Sequence, residues 1–359
     1  MKSTSPYFHT SFTFNGLEYN NAEELLQFAK KLRKEGDAYE VSIGKFIKKW
    51  LGDSDTIIVK TSGSTGKPKK IALKKEHMIA SAKATCSYFK LGPNTKALLC
   101  LSADYIAGKM MLVRALVMGW DLHVVAPEKD ALTQYDNDYD FVAMVPYQVH
   151  HTFDALTKVR KLIIGGGAVS AALEAKLQTI PTEAFATYGM TETCSHVAVR
   201  RLNGLAASDS FAAMQDIKFT TDARGCLVIE APKISEEIII TNDMVHLENA
   251  TRFIWLGRFD NVINSGGVKL FPETIEAKLA PFIETPFIIT SEKDDALGER
   301  VVLVVEYKDS TTVPNYAEAF TSLDAYERPK RLYTISKFPY TETGKIKRVE
   351  VMQVLQKYK

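Results

Sequence analysis

Apolar positions along the chain follow two periods. Short runs, or strict alternation with polar residues, predict strands, and recurrence every three to four residues predicts helices. Near the N-terminus an alternating stretch over residues 11–19 is broken by Asn15-Gly16, a pair suited to a two-residue turn, and it predicts a hairpin. Asn21 and Glu24 then have the spacing of a capping box and open an amphipathic helix that reaches about Lys34. Beyond it, apolar runs at residues 56–60, 97–101, 122–126, 141–145 and 162–164 read as buried strands and alternate with helical patterns. That alternation predicts an α/β architecture with a mostly parallel sheet. From about Asp222 the segments shorten, with strands expected at residues 226–231 and 237–241. A final portion holds a helix at 272–280, strands at 287–290 and 301–307, and a basic C-terminus, so it reads as a small α+β unit. We place the boundary near Asp260, giving a large domain over 1–259 and a small one over 260–359.

Composition narrows the picture without changing it. The 359 residues are 46% hydrophobic and 25% charged, with 45 basic against 43 acidic side chains and a formal net charge of +2. Such a balance gives no reason to expect a nucleic-acid or anionic-membrane partner. Cys86, Cys100, Cys194 and Cys226 lack C-x-x-C spacing, which suits reduced, mostly buried thiols. The N-terminus lacks the apolar stretch of a signal peptide and no later run approaches a membrane span, so a cytoplasmic enzyme without membrane insertion is expected.

The chemistry concentrates in TSGSTGKPK, which follows the apolar run IIVK. Thr61, Ser62, Gly63, Ser64, Thr65 and Gly66 make a poor core and a good anion cradle. The glycines permit close backbone approach, and the hydroxyls with Lys67 supply donors to phosphate oxygens. A Walker A loop is excluded, because Thr61 stands where the first Gly belongs and Pro68 where Ser or Thr belongs. A solvated Ser/Gly turn is the bland alternative.

The string resembles the phosphate-binding loop of the adenylate-forming superfamily of acyl-CoA synthetases, adenylation domains and luciferases, and further motifs follow in that family's order. Gly165-Gly166-Gly167 is similar to its adenine-binding turn, and TYGMTE at Thr187, Tyr188, Gly189, Met190, Thr191 and Glu192 to its central motif. Thr241-Asn242-Asp243 resembles its ribose-binding T-G-D, GRFDNVINSGGVKLFPETIE its hinge region, and TETGKIKR the segment of its catalytic lysine. The resemblance implies ATP, Mg²⁺ and coenzyme A as cofactor and co-substrates, with a small-molecule carboxylic acid as the other substrate. Beside it stand the residues' own chemistries. Tyr188 can lie against a purine, Thr191 can donate to phosphate, Glu192 is a hard ligand suited to Mg²⁺, and Asp243 offers two acceptors to vicinal ribose hydroxyls. By resemblance Arg258 reaches ribose or phosphate and Lys345 is the catalytic lysine, a mobile point charge that helps two anions join. Asp260 matches the hinge, about which the small domain is expected to rotate between half-reactions. That motion would withdraw Lys345 and present the loop of Gly266, Gly267 and Lys269 to the thiol channel.

The acid is less legible. Residues 102–116 and 188–200 look most like the o-succinylbenzoate–CoA ligases of menaquinone biosynthesis, whose substrate carries a second carboxylate. A buried second carboxylate needs a cationic or multi-donor partner. Arg114 matches the position that this branch uses, with Lys109 and His196 as weaker candidates; a structural ion pair is the alternative for Arg114. Two departures bear on pocket shape: Asn242 replaces the usual Gly of T-G-D, and Tyr105-Ile106 stands where many relatives have an aromatic-His pair. The chain is shorter than most relatives, with the shortfall expected upstream of the phosphate loop. Three rivals remain: a ligase for another aromatic or aliphatic acid, an enzyme loading a carrier protein, and a dinucleotide-binding oxidoreductase. The last is weakened because G-x-G-x-x-G fails at Ser170.

Overall fold

A computed structural model describes residues 6–60, 69–307, 315–340 and 346–357. The expected N-terminal hairpin is two short strands, Thr13–Phe14 and Leu17–Glu18, joined through Asn15 at φ 49° and Gly16 at φ 78°. Both φ values are positive, the requirement that an Asn-Gly pair meets at low cost. The helix Ala22–Glu35 is capped by Asn21, whose side chain accepts from the backbone N–H of Glu23 and Glu24. The return bond of the box is displaced by one residue, because Glu24 accepts from the N–H of Asn20 at 2.9 Å. A second helix, Ala38–Trp50, not expected from the pattern, crosses the first closely at Gly44. A Cβ on Gly44 would stand 2.7 Å from the Ala29 carbonyl oxygen, so only glycine permits that approach.

Among the described residues the main sheet has thirteen strands. Leu17–Glu18 forms its edge, followed in space by Thr13–Phe14, Asp121–Val124, Lys96–Leu99, Tyr139–Met144, Val159–Ile164 and Glu183–Gly189, all parallel after the first pair. The remaining strands, His196–Arg201, Phe211–Ala213, Arg252–Arg258, Ile239–Asn249, Cys226–Glu230 and Lys218–Thr221, pair antiparallel. The parallel half carries the α/β pattern that the sequence predicts, and the antiparallel half is an extension of it. Alternation along the central strand shows why both faces are covered. Phe141 and Ala143 enter one apolar cluster with the helices Lys75–Phe89 and Ile106–Met118, while Val142 and Met144 enter another with Val149, Leu173 and Leu177.

One expected strand sits elsewhere. Thr56–Lys60 pairs antiparallel with Lys70–Lys74 in a separate two-stranded sheet, with Lys60 opposite Lys70, so the strands flank the phosphate-loop string. Lys74 ion-pairs with Glu236 and ties this ribbon to the antiparallel half. Past Arg258 the chain turns through Phe259–Asn261 and enters a second, five-stranded sheet made of Val268–Leu270, Ile263–Ser265, Gly298–Glu306, Phe287–Asp294 and Arg331–Ile335. Helix Pro272–Leu279 packs on one face with Ile289 and Leu303; helix Arg348–Lys357 packs on the other with Ile288 and Val304. Among the described residues no helix is long and apolar enough to cross a membrane.

Candidate active site

The carboxyl ends of the parallel strands converge on the motifs. Strand Val159–Ile164 ends in Gly165-Gly166-Gly167, with Gly166 at φ 77°, before Ser170 caps the helix Ala171–Leu177 by accepting from the Leu173 N–H. The neighbouring strand Glu183–Gly189 carries Thr187, whose hydroxyl donates to the Ile164 carbonyl at 3.1 Å. A Cβ on Gly165 would lie 2.5 Å from that hydroxyl. The glycine turn and TYGMTE are thus held side by side, at the edge where open α/β sheets take their ligands.

Tyr188 is half-buried among aromatic neighbours. It packs edge-to-face on Phe253 at 5.1 Å, and its hydroxyl donates to Asp243 Oδ2 at 2.7 Å. Burial first, and the Asp243 charge second, push the phenol well above its ordinary value. The buried Asp243 also accepts from Trp255 Nε1 at 3.2 Å and Arg258 Nη1 at 3.4 Å. A carboxylate has about four acceptor sites. Three are filled here, which leaves about one open. Trp255 gave no signal in the sequence, because its role depends on the pairing of Ile239–Asn249 with Arg252–Arg258.

After Gly189 the chain turns through Thr191–Thr193 and returns as His196–Arg201, with Gly189 opposite His196. A Cβ on Gly189 would stand 2.6 Å from the His196 Cα. Thr193 stitches the turn, accepting from the Met190 N–H and donating at 2.7 Å to the Ser195 carbonyl. Thr191 is half-buried and Glu192 exposed on this turn. Among the described residues no three His, Cys, Asp or Glu side chains form a metal cluster. Glu192 stands alone there as a carboxylate, and Mg²⁺ at nucleotide sites is usually held by one or two carboxylates together with phosphate oxygens and water.

On the other side of the same hairpin lies the strongest electrostatic feature. Arg114, in the helix Ile106–Met118, is 2% exposed and reaches no carboxylate among the described residues. Its Nη2 donates to the Ser195 hydroxyl, while Nε has no partner among the described residues. Burial lowers its pKa to about 10, so it is a cation at neutral pH. His196 is buried beside it, and burial followed by the Arg114 charge holds that imidazole far below its ordinary value and neutral. The Ser195 hydroxyl lies 3.4 Å from His196 Nδ1, and Thr85 Oγ1 lies 3.3 Å from Nε2. Ser81, Thr85 and Ser195 escaped the sequence reading, since hydroxyls inside a helix or turn carry no periodic signal.

The other expected residues are dispersed. Lys109 donates to the carbonyls of Ala103 at 2.6 Å and Asp104 at 2.5 Å, so it closes the loop before its own helix, and burial lowers its pKa to about 8. Tyr105 occupies the position before that helix and is half-buried. Asp260 sits in the turn between the two sheets, 3.4 Å from Asn242 Nδ2 and 3.8 Å from Arg258. Asn242 in turn accepts from Arg224 at 2.9 Å. Gly266 and Gly267, at φ 58° and 82°, form the tip of a hairpin on which Lys269 is exposed. Thr61, Ser62, Gly63, Ser64, Thr65, Gly66, Lys67 and Lys345 lie outside the described residues.

Comparison with known proteins gives a consistent set of likenesses. Residues 18–217 match the AMP-binding enzyme family. The chain is 25% identical over 331 residues to the 2-succinylbenzoate–CoA ligase of Staphylococcus epidermidis, an alignment that takes in 83% of this chain and 70% of that one. It is 26% identical over 330 residues to a probable 2-succinylbenzoate–CoA ligase of Mycobacterium tuberculosis, covering 84% and 85%. Among solved structures, an acyl-CoA synthetase (AMP-forming)/AMP-acid ligase II-like protein from Dyadobacter fermentans is 36% identical with a TM-score of 0.61, covering 92% of this chain and 98% of the other. The o-succinylbenzoate coenzyme A synthetase of Bacillus subtilis, in complex with ATP and magnesium ion, shares the fold at a TM-score of 0.71 and 16% identity, with coverage of 92% and 82%.

Proposed function

The chain belongs to the AMP-binding enzyme family and is an AMP-forming acid–thiol ligase; from that premise we propose that its acid is o-succinylbenzoate, activated as the acyl-adenylate and passed to coenzyme A. The observation that carries this reading is Arg114, a fully buried guanidinium whose Nε has no partner, and to which no acidic side chain is bonded, among the described residues. A buried cation without a counter-charge costs several kcal/mol, and a chain that keeps one gains by supplying the counter-charge from a ligand. In o-succinylbenzoate the aliphatic carboxylate reacts, and the ring carboxylate is the anion available to Arg114. Relatives named 2-succinylbenzoate–CoA ligase support the same choice.

In the first half-reaction a carboxylate oxygen attacks the α-phosphorus of ATP and pyrophosphate leaves. In the second, the coenzyme A sulfur attacks the acyl carbon and AMP leaves. Such a reaction is helped by placement and charge neutralisation more than by a protein nucleophile. Asp243, fixed by Tyr188, Trp255 and Arg258, would take one ribose hydroxyl, and the turn at Gly165 would let the adenine lie against backbone. Thr191 would donate to phosphate, and Glu192 would hold Mg²⁺, which when bound neutralises phosphate charge. Lys345 is assigned to the meeting of carboxylate and α-phosphate, and the turn containing Asp260 to rotation of the small domain, which would expose the hairpin of Gly266, Gly267 and Lys269. The test is pyrophosphate release with o-succinylbenzoate and with 3-benzoylpropionate, the same acid without the ring carboxylate, each with and without coenzyme A. Release at a much lower KM for o-succinylbenzoate than for 3-benzoylpropionate, with a thioester product seen by mass spectrometry, is the expected result. Equal turnover of both acids would remove the substrate assignment.

A further inference from the structure

We propose that His196 and Thr85 are positioning residues for the Arg114 site, forming a one-way hydrogen-bond relay that keeps the Ser195 hydroxyl an acceptor toward Arg114 and so fixes the guanidinium for a single planar carboxylate. The proposal rests on the reading of Arg114 as the seat of the acid's second carboxylate.

The direction of the relay follows from counting protons. Thr85 lies inside the helix Lys75–Phe89 and its hydroxyl donates to the Ser81 carbonyl one turn back, at 3.0 Å. This is the usual local bond of a mid-helix threonine, and it commits that hydrogen. Thr85 Oγ1 can then act toward His196 Nε2, 3.3 Å away, only as an acceptor. Nε2 must therefore carry the hydrogen. A neutral imidazole has one N–H, so Nδ1 is bare and accepts. The imidazole is neutral because burial and the adjacent Arg114 charge both oppose its protonation. The atom 3.4 Å from Nδ1 is Ser195 Oγ, whose single hydrogen is thereby drawn to the ring. Its lone pairs then face Arg114 Nη2, which donates to it. Ser195, His196 and Thr85 each give one hydrogen and accept one, and all of the bonds run the same way from Arg114 to the Ser81 carbonyl.

The arrangement has a consequence for recognition. Ser195 has no hydrogen left for a ligand, so the carboxylate must be met by the guanidinium itself, whose Nε is unpartnered. Holding Nη2 on Ser195 stops the guanidinium from rotating about its own side chain. Without Thr85 the histidine has no reason to prefer the Nε2–H form, and Ser195 is released to donate to the ligand and to let the guanidinium swing.

Two measurements on the full chain decide it. In protein labelled with ¹⁵N-histidine, the His196 signals are assigned by their loss in His196→Gln, and long-range ¹⁵N–¹H correlation reads the tautomer. A protonated Nε2 with bare Nδ1 at neutral pH is expected; an Nδ1–H ring or an imidazolium overturns the relay. Kinetically, Thr85→Val should raise the KM for o-succinylbenzoate about tenfold and leave the KM for ATP and for 3-benzoylpropionate within about twofold, with Thr85→Ser restoring the wild-type value. A KM for o-succinylbenzoate that does not move, or one that rises equally for all three ligands, refutes the proposal. Should Thr85→Val fail to fold, the wild-type tautomer alone decides. Arg114→Met separates the two levels: if it leaves every acid's KM unchanged the substrate reading falls, whereas if it raises that of o-succinylbenzoate and Thr85→Val does not, only the relay falls.

Discussion

Arg114→Met replaces a buried cation by an unbranched apolar side chain of similar length, and it should push stability and substrate affinity in opposite directions. Burial takes the guanidinium from its ordinary 12.5 to about 10. At 1.36 kcal/mol per tenfold, that depression is worth about 3 kcal/mol against the charged, folded state. The sign is fixed by the pH: neutral solution lies far below 10, so the whole penalty is present, and it lifts only as pH rises through that value. Removing the charge also removes one hydrogen bond from a charged donor to Ser195, about 1.5 to 3 kcal/mol. The balance runs from about zero to 2 kcal/mol in favour of the variant, so the melting temperature holds or rises by a few degrees, in line with other buried ion groups replaced by apolar ones. Binding moves the other way. A substrate carboxylate left in that pocket without its cation loses about 2 kcal/mol or more, which is about a thirtyfold or greater rise in the KM for o-succinylbenzoate. Differential scanning fluorimetry and pyrophosphate release read the two effects. A variant that melts several degrees lower and keeps its KM would refute the reasoning, because Arg114 would then be a structural group.

Three further outcomes follow from the site. Gly165→Ala drives a methyl into Thr187, an overpacking cost of about 1 to 3 kcal/mol; the KM for ATP should rise several-fold with that for the acid unchanged, and an unchanged ATP constant would remove the close-approach argument. His196 stays neutral in the fold but titrates near its ordinary 6.5 once unfolded, so the unfolded chain binds the extra proton and stability falls as pH drops below about 6.5. Urea melts at pH 7 and pH 5.5 should differ by about 1 kcal/mol less in His196→Gln than in wild type, and an equal difference would mean that His196 gains its proton in the fold too. Asp260→Pro should leave acid-dependent pyrophosphate exchange measurable and depress thioester formation about tenfold or more, since proline freezes φ where rotation is required; equal loss of both activities would end the hinge reading.

Legibility followed how local each signal was. The central parallel strands showed themselves because residues such as Val142 and Phe141 are both apolar, a pattern that only two-sided burial produces. Thr56–Lys60 has the same apolar character, yet it belongs to a separate ribbon, since partner choice depends on Lys70–Lys74 and not on the run itself. The helix Ala38–Trp50 was hidden by Val41, Ile43 and Gly44, poor helix formers that are retained where Gly44 meets the neighbouring helix. At the site, Thr187, Tyr188, Asp243 and Arg114 could be singled out from the sequence. What they touch could not: the clasp of Trp255 on Asp243 depends on the register of two paired strands, and the approach of Thr85 to His196 joins residues 111 positions apart, so no local pattern encodes either.

The hairpin from Glu183 to Arg201 also constrains how such an enzyme can change its diet. Its outgoing arm bears Thr187 and Tyr188, and its returning arm bears His196, with Ser195 just before it. On the proposed reading, one register sets how far the nucleotide lies from the acid. An inserted residue in the turn would send every side chain of the returning arm to the opposite face of the sheet. On that reading, a change of acid is reached by swapping side chains at fixed places along the returning arm, whereas a change in the turn's length would disturb nucleotide and acid together.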